Sequence, residues 1–135
     1  LIELPQKTDK DFELEKKKLE IADKLYELFT KDTALFILLL LIKEGEISKP
    51  ELIYKLRTKN KGEIIEYLNK FTDLKLILEE EKRKSPLTKH YTISNSGRQL
   101  LKNVFDINIK NIDSWLKSYE EGKLKDRIRK YLYVG

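Results

Sequence analysis

Two helix starts separated by a short polar turn constrain this chain more than any other feature. Ser48-Lys49-Pro50-Glu51 opens the first. The serine hydroxyl can accept from the Glu51 amide, Glu51 can reach back, and Pro50 stands where no helical acceptor is lost. Asn60-Lys61-Gly62-Glu63 repeats the logic, with Thr58-Lys59 as the turn between them. The first helix is short, with Leu52, Ile53 and Leu56 inward. The second runs to about Thr72, with Ile64, Ile65, Leu68 and Phe71 on one side. Upstream, Asp32 or Thr33 is placed to cap a helix ending near Gly45, and its apolar run from Leu35 to Ile42 must be surrounded by other elements. Downstream, Leu74 to Leu78 favours a strand and Lys89 to Ile93 a partner strand, with Tyr91 and Ile93 inward. The intervening Glu79 to Pro86 reads as a loop by its charge and its proline. Ser94 then caps a helix carrying Leu100, Leu101, Val104 and Phe105.

That order of elements predicts a mainly α fold with a small β-hairpin wing, a winged helix-turn-helix over residues 31–105. Helical extensions are expected on both sides. Residues 1–30 contain Pro5 in an extended lead-in, then an amphipathic helix with two apolar stripes. One stripe is Phe12, Leu19, Ala22, Tyr26 and Phe29; the other is Leu14, Ile21, Leu25 and Leu28. Two stripes fit packing against both its own domain and a second subunit; a single broad buried face fits equally. Residues 106–135 space Ile109, Ile112, Trp115, Leu116 and Tyr119 for a helix. Gly122 ends or kinks it, and Leu124, Ile128, Tyr131 and Leu132 continue as another. This segment is expected to dimerise or to cover the core.

Composition narrows the function classes. The 135 residues carry 28 Lys/Arg against 23 Asp/Glu, a formal charge of +5. Residues 30–103 hold 15 basic against 10 acidic residues, so the excess lies in the central module. This favours an anionic partner. With no cysteine and one histidine, thiolate chemistry and Cys- or His-rich metal sites are excluded. No Gly-rich phosphate loop is present, Glu120-Glu121 reads as solvated surface, and no catalytic residue, cofactor or metal is expected. The longest apolar run, Ala34 to Ile42, is nine residues, too short for a bilayer. With no signal peptide visible, a cytoplasmic protein without membrane contact is expected. The start at Leu1 implies missing N-terminal residues. Absent Cys and Met beside abundant Lys, Glu, Ile and Leu resembles thermophile composition.

The residues from Ser48 to Leu56, from Asn60 to Leu68, and Leu74-Lys75-Leu76-Ile77 together resemble the winged helix-turn-helix regulators. The MarR family is nearest, with PadR-like and ArsR-like regulators close behind. Leu74-Lys75-Leu76-Ile77 stands where such families usually write a Gly-Leu-Ile strand entry. After the wing, Tyr91-x-Ile93-Ser94-x-x-Gly97-Arg98-x-Leu100 is similar to their Tyr-x-Leu-Thr-x-x-Gly-x-x-Leu signature. About half the chain is covered. The resemblance implies DNA binding as a homodimer, with the terminal helices as interface. The chain departs from MarR in having no Asp between Glu79 and Lys89, and in Glu63 and Glu66 on the reading helix. It also departs in a break near Asp106.

The expected partner is double-stranded DNA. On the wing, Lys82, Arg83, Lys84 and Lys89 are the candidate phosphate contacts, with His90 beside them. Around the reading helix the candidates are Lys59, Lys61 and Lys70 for phosphate, and Asn60, Asn69 and Lys70 for base edges. Glu63 and Glu66 are placed to accept from cytosine N4. Each has a plain alternative: a charged hairpin tip that avoids edge pairing, ordinary helix-surface glutamates, or an exposed strand histidine without a role. Trp115 is either core or the wall of a ligand pocket; a small-molecule effector stays open. Besides a homodimeric regulator, two readings remain: a winged helix used for protein docking in a transcription or replication assembly, and architectural DNA coating.

Overall fold

The computed structural model describes residues 9–82 and 87–132. Its elements are α1 (Asp9–Leu28), α2 (Asp32–Glu44), β1 (Glu46–Ser48), α3 (Lys49–Lys55), α4 (Lys61–Asp73), β2 (Ile77–Lys82), β3 (Thr88–Ile93), α5 (Asn95–Phe105), α6 (Ile112–Glu120) and α7 (Leu124–Leu132). The fold is mostly helical with one small antiparallel sheet, a winged helix.

α2 is the hub. Its residues from Thr33 to Ile42 are buried except for half-buried Phe36, because α4, α6, α7 and the sheet all pack around it. No side chain caps it: Lys31 is the N-cap residue, and Asp32 instead lies in the first turn, where its charge suits the helix dipole. α3 and α4 begin as the sequence indicates. Ser48 Oγ accepts from the Glu51 amide at 3.3 Å, and Asn60 Oδ1 accepts from the Glu63 amide at 3.1 Å. The reciprocal half of each capping box is missing: Glu51 is exposed, and Glu63 turns toward Lys31 instead.

The sheet differs from a simple hairpin in two ways. It has three strands in the order β1-β3-β2, with Ile47 opposite Tyr91 and Glu79 opposite Tyr91 on the other side. Also, β2 begins at Ile77 rather than Leu74 and continues through Glu79 to Lys82, where a loop was expected. Residues 74–76 finish α4. Lys75 takes a left-handed conformation (φ 59°), and the Leu76 and Lys75 amides donate back to Phe71 and Thr72 carbonyls at 2.9 and 3.0 Å. This is a Schellman stop with lysine where glycine is usual.

Ser94 and Gly97 join the wing to α5. Ser94 Oγ accepts from the Gly97 amide at 3.0 Å and donates to the Lys75 and Leu76 carbonyls. A Cβ on Gly97 would stand 2.2 Å from the Leu76 carbonyl oxygen, so only glycine lets α5 approach the strand entry this closely.

The C-terminal helices enter the same core. Trp115 is fully buried, edge-on to Phe105, with the Arg127 guanidinium 3.7 Å from its ring centroid. Ile112, Leu124 and Ile128 are buried alongside, and Tyr119 stacks on Phe36 at 3.6 Å. The N-terminal helix behaves differently. Leu28 is buried and Leu25 packs against the core, followed by buried Phe29, whereas Phe12 is 59% and Tyr26 40% exposed. Among the described residues no helix is long and apolar enough to cross a membrane.

Candidate nucleic-acid interface

α4 is oriented by Ile64, Leu68 and Phe71, all buried. At 100° per residue this leaves Gly62, Glu66, Asn69, Lys70 and Asp73 outward, and all five are exposed. The flanks differ. Lys61 and Ile65 face a groove shared with the start of α3 and with β3. Glu63 and Tyr67 lie on the other flank, toward the start of α2.

The groove has a volume of about 650 Å³. Pro50, Ile53, Ile65 and Leu87 give it apolar surface, and Lys49, Lys61 and Lys89 with Thr88 supply its polar atoms. It therefore lies between α4 and the wing. Lys49 is the residue that the sequence reading missed. Its signal was its position: Lys49 and Lys61 are each the first residue of a helix. A cation there opposes the helix dipole by about 0.3–1 kcal/mol at low ionic strength. Neither has an ion-pair partner among the described residues. Local rules broken in this way tend to mark functional positions.

The other candidate cations are engaged. Lys59 stands 3.8 Å from Asp32, Lys70 3.2 Å from Glu66, and Lys89 3.0 Å from Glu79. Lys82 meets Glu46 at 2.7 Å, and this hydrogen bond raises its pKa. Arg83 and Lys84 lie outside the described residues. His90 is not an exposed strand residue: in the central strand, flanked by β1 and β2, its side chain is only 20% exposed. Its Nδ1 is 4.0 Å from Glu46 on the face that also carries Lys82. The wing candidates thus divide. Lys89 joins the groove, while Lys82 and His90 sit on the sheet's outer face.

Glu63 is likewise drawn off the outer surface. Its Oε1 is buried, 3.3 Å from the Lys31 ammonium, an ion pair without a hydrogen bond. Glu63 and Asp32 both act electrostatically on Tyr67. Burial first, then Glu63, Glu66 and Asp32, raise the Tyr67 pKa. Burial and Asp32 do the same for Tyr119, whose ring lies 5.9 Å from the Lys59 ammonium. Asn60 is committed to its cap, whereas Asn69 is exposed and makes no hydrogen bond among the described residues.

No family model matches the sequence, and no curated protein matches it. Among solved structures the chain is similar to the reduced form of the transcriptional regulator YodB from B. subtilis. The TM-score is 0.51 at 14% identity, over 87% of this chain and 98% of that one. At this identity the likeness establishes the fold: the chain is folded as a winged-helix transcriptional regulator is.

Proposed function

We propose that the chain is a sequence-specific double-stranded DNA-binding protein, a homodimeric and MarR-like transcriptional regulator. α4 enters the major groove and the wing lies against flanking backbone. The groove between α4 and the wing carries this reading. A phosphate strand separates the major groove from the adjacent minor groove, and it needs a channel between the two reading elements. Lys49, Lys61 and Lys89 with Thr88 line such a channel, and the two helix-start lysines, without ion-pair partners among the described residues, supply charge for phosphate. In the sequence, Arg83 and Lys84 add two cations between β2 and β3. Dimerisation through α1 is supported by its exposed Phe12 and Tyr26. Two-fold symmetry then places half-sites about one helical turn apart.

One observation favours a second reading, a protein-docking module. Four candidate cations, Lys59, Lys70, Lys82 and Lys89, are neutralised by carboxylates, and Glu66 is exposed on the outer face of α4. Duplex binding across a salt series, with selection from a random-sequence pool, separates the readings. A regulator gives steep salt dependence and an enriched two-fold motif. Steep dependence without a motif indicates architectural coating, and no binding at low salt refutes DNA binding altogether.

A further inference from the structure

Resting on the DNA-binding reading, the outward residues of α4 also point to what it recognises. Ile65 is half-buried, although Ile64, Leu68 and Phe71 already complete the inner face of the helix. It is an apolar side chain on the groove, at the edge of an outward face made of Gly62, Glu66, Asn69 and Lys70. Asn69 follows one turn later, exposed and with both amide donor and acceptor unused among the described residues. Glu66 lies between them but is tied to Lys70 at 3.2 Å, so its charge is compensated. Gly62 leaves the first turn bare, which permits close approach.

Two base features suit this pair. The thymine 5-methyl is the apolar group that the major groove displays, and adenine N6 and N7 match a carboxamide bidentately. Residues four apart lie about 6 Å along a helix. Bases lie about 3.4 Å apart along a strand. The two contacts therefore fall within about two base pairs. We propose that α4 reads a short A·T segment in each half-site, Ile65 packing on a thymine methyl and Asn69 pairing with an adjacent adenine.

The test uses the wild-type chain and its selected duplex, measured by fluorescence anisotropy at fixed low salt. Deoxyuridine replacing the thymine removes only the methyl and is expected to weaken binding about fourfold. 7-Deazaadenine removes the N7 acceptor and is expected to cost about fivefold or more. Ile65→Ala should bind the thymine and uridine duplexes equally, and Asn69→Ala should lose discrimination at the adenine. Asn69 is exposed and Ile65 half-buried, and the base analogues probe the unaltered protein even if a variant folds poorly. A selected motif of G·C pairs here, or unchanged affinity on both analogues, overturns the inference while leaving DNA binding intact. Absence of any duplex binding would instead remove the reading on which it rests.

Discussion

Replacing Lys49 and Lys61 with Ala should weaken DNA binding and strengthen the fold at once. Each lysine begins a helix without a carboxylate partner among the described residues, and both line the groove between α4 and the wing. If each neutralises one phosphate, the slope of log K against log salt should flatten by about 0.9 per residue, or about 1.8 for the double variant. Across a fourfold change in salt, the ratio of wild-type to variant affinity then changes about twelvefold. Removing two cations from helix starts should raise stability by roughly 0.3–1 kcal/mol each, toward the lower figure for solvent-exposed Lys61. The assays are anisotropy titrations at several salt concentrations and urea unfolding, followed by fluorescence of the single, buried tryptophan, Trp115. Lower affinity with an unchanged salt slope would mean that the lysines do not meet phosphate. A loss of stability would refute the dipole argument that singled them out.

Glu79→Gln should free Lys89 from its 3.0 Å partner and tighten duplex binding several-fold at low salt; weaker binding would mean that the pair positions the wing. Gly97→Ala should destabilise by about 1–3 kcal/mol in urea unfolding, because the added Cβ meets the Leu76 carbonyl rather than a flexible side chain. Lys75→Gly should stabilise by about 1 kcal/mol, since Lys75 holds a left-handed conformation (φ 59°) that glycine adopts freely. Burial, then the adjacent Glu79, pushes the Tyr91 phenol up to about 12. The folded state thus holds that proton more tightly than the unfolded chain, whose value lies near 10. This contribution to stability is complete below about pH 10 and falls as pH rises toward about 12, and Tyr91→Phe should reduce the slope of stability in that range.

Local chemistry made much of the frame legible. Ser48, Asn60 and Ser94 all cap the helices that their sequence positions announce, because an N-cap needs only a side-chain oxygen and an amide three residues on. The strand entry misled for a similarly local reason. Leu74-Lys75-Leu76 alternates like a strand, yet Lys75 turns left-handed, and the Lys75 and Leu76 amides close α4 by donating to the Thr72 and Phe71 carbonyls. β1 gave little signal, since its three residues contain only one apolar side chain and become a strand only by pairing with β3. Charge was hardest to read. Lys82 and Lys89 look alike in the sequence, but the pleat sends Lys82 to Glu46 on one face and Lys89 to Glu79 on the other.

By itself, the sequence determined where helices start, that α2 must be enclosed, and that the positive charge is concentrated in the central module, because each follows from neighbouring residues or from composition. Tertiary structure decided that Trp115 and the C-terminal helices complete the core, that Glu63 leaves the outer face of α4 for Lys31, and that Lys49 joins Lys61 and Lys89 in one groove. Those outcomes depend on which distant elements meet, and a side chain's electrostatic partner is fixed only once packing brings the two together.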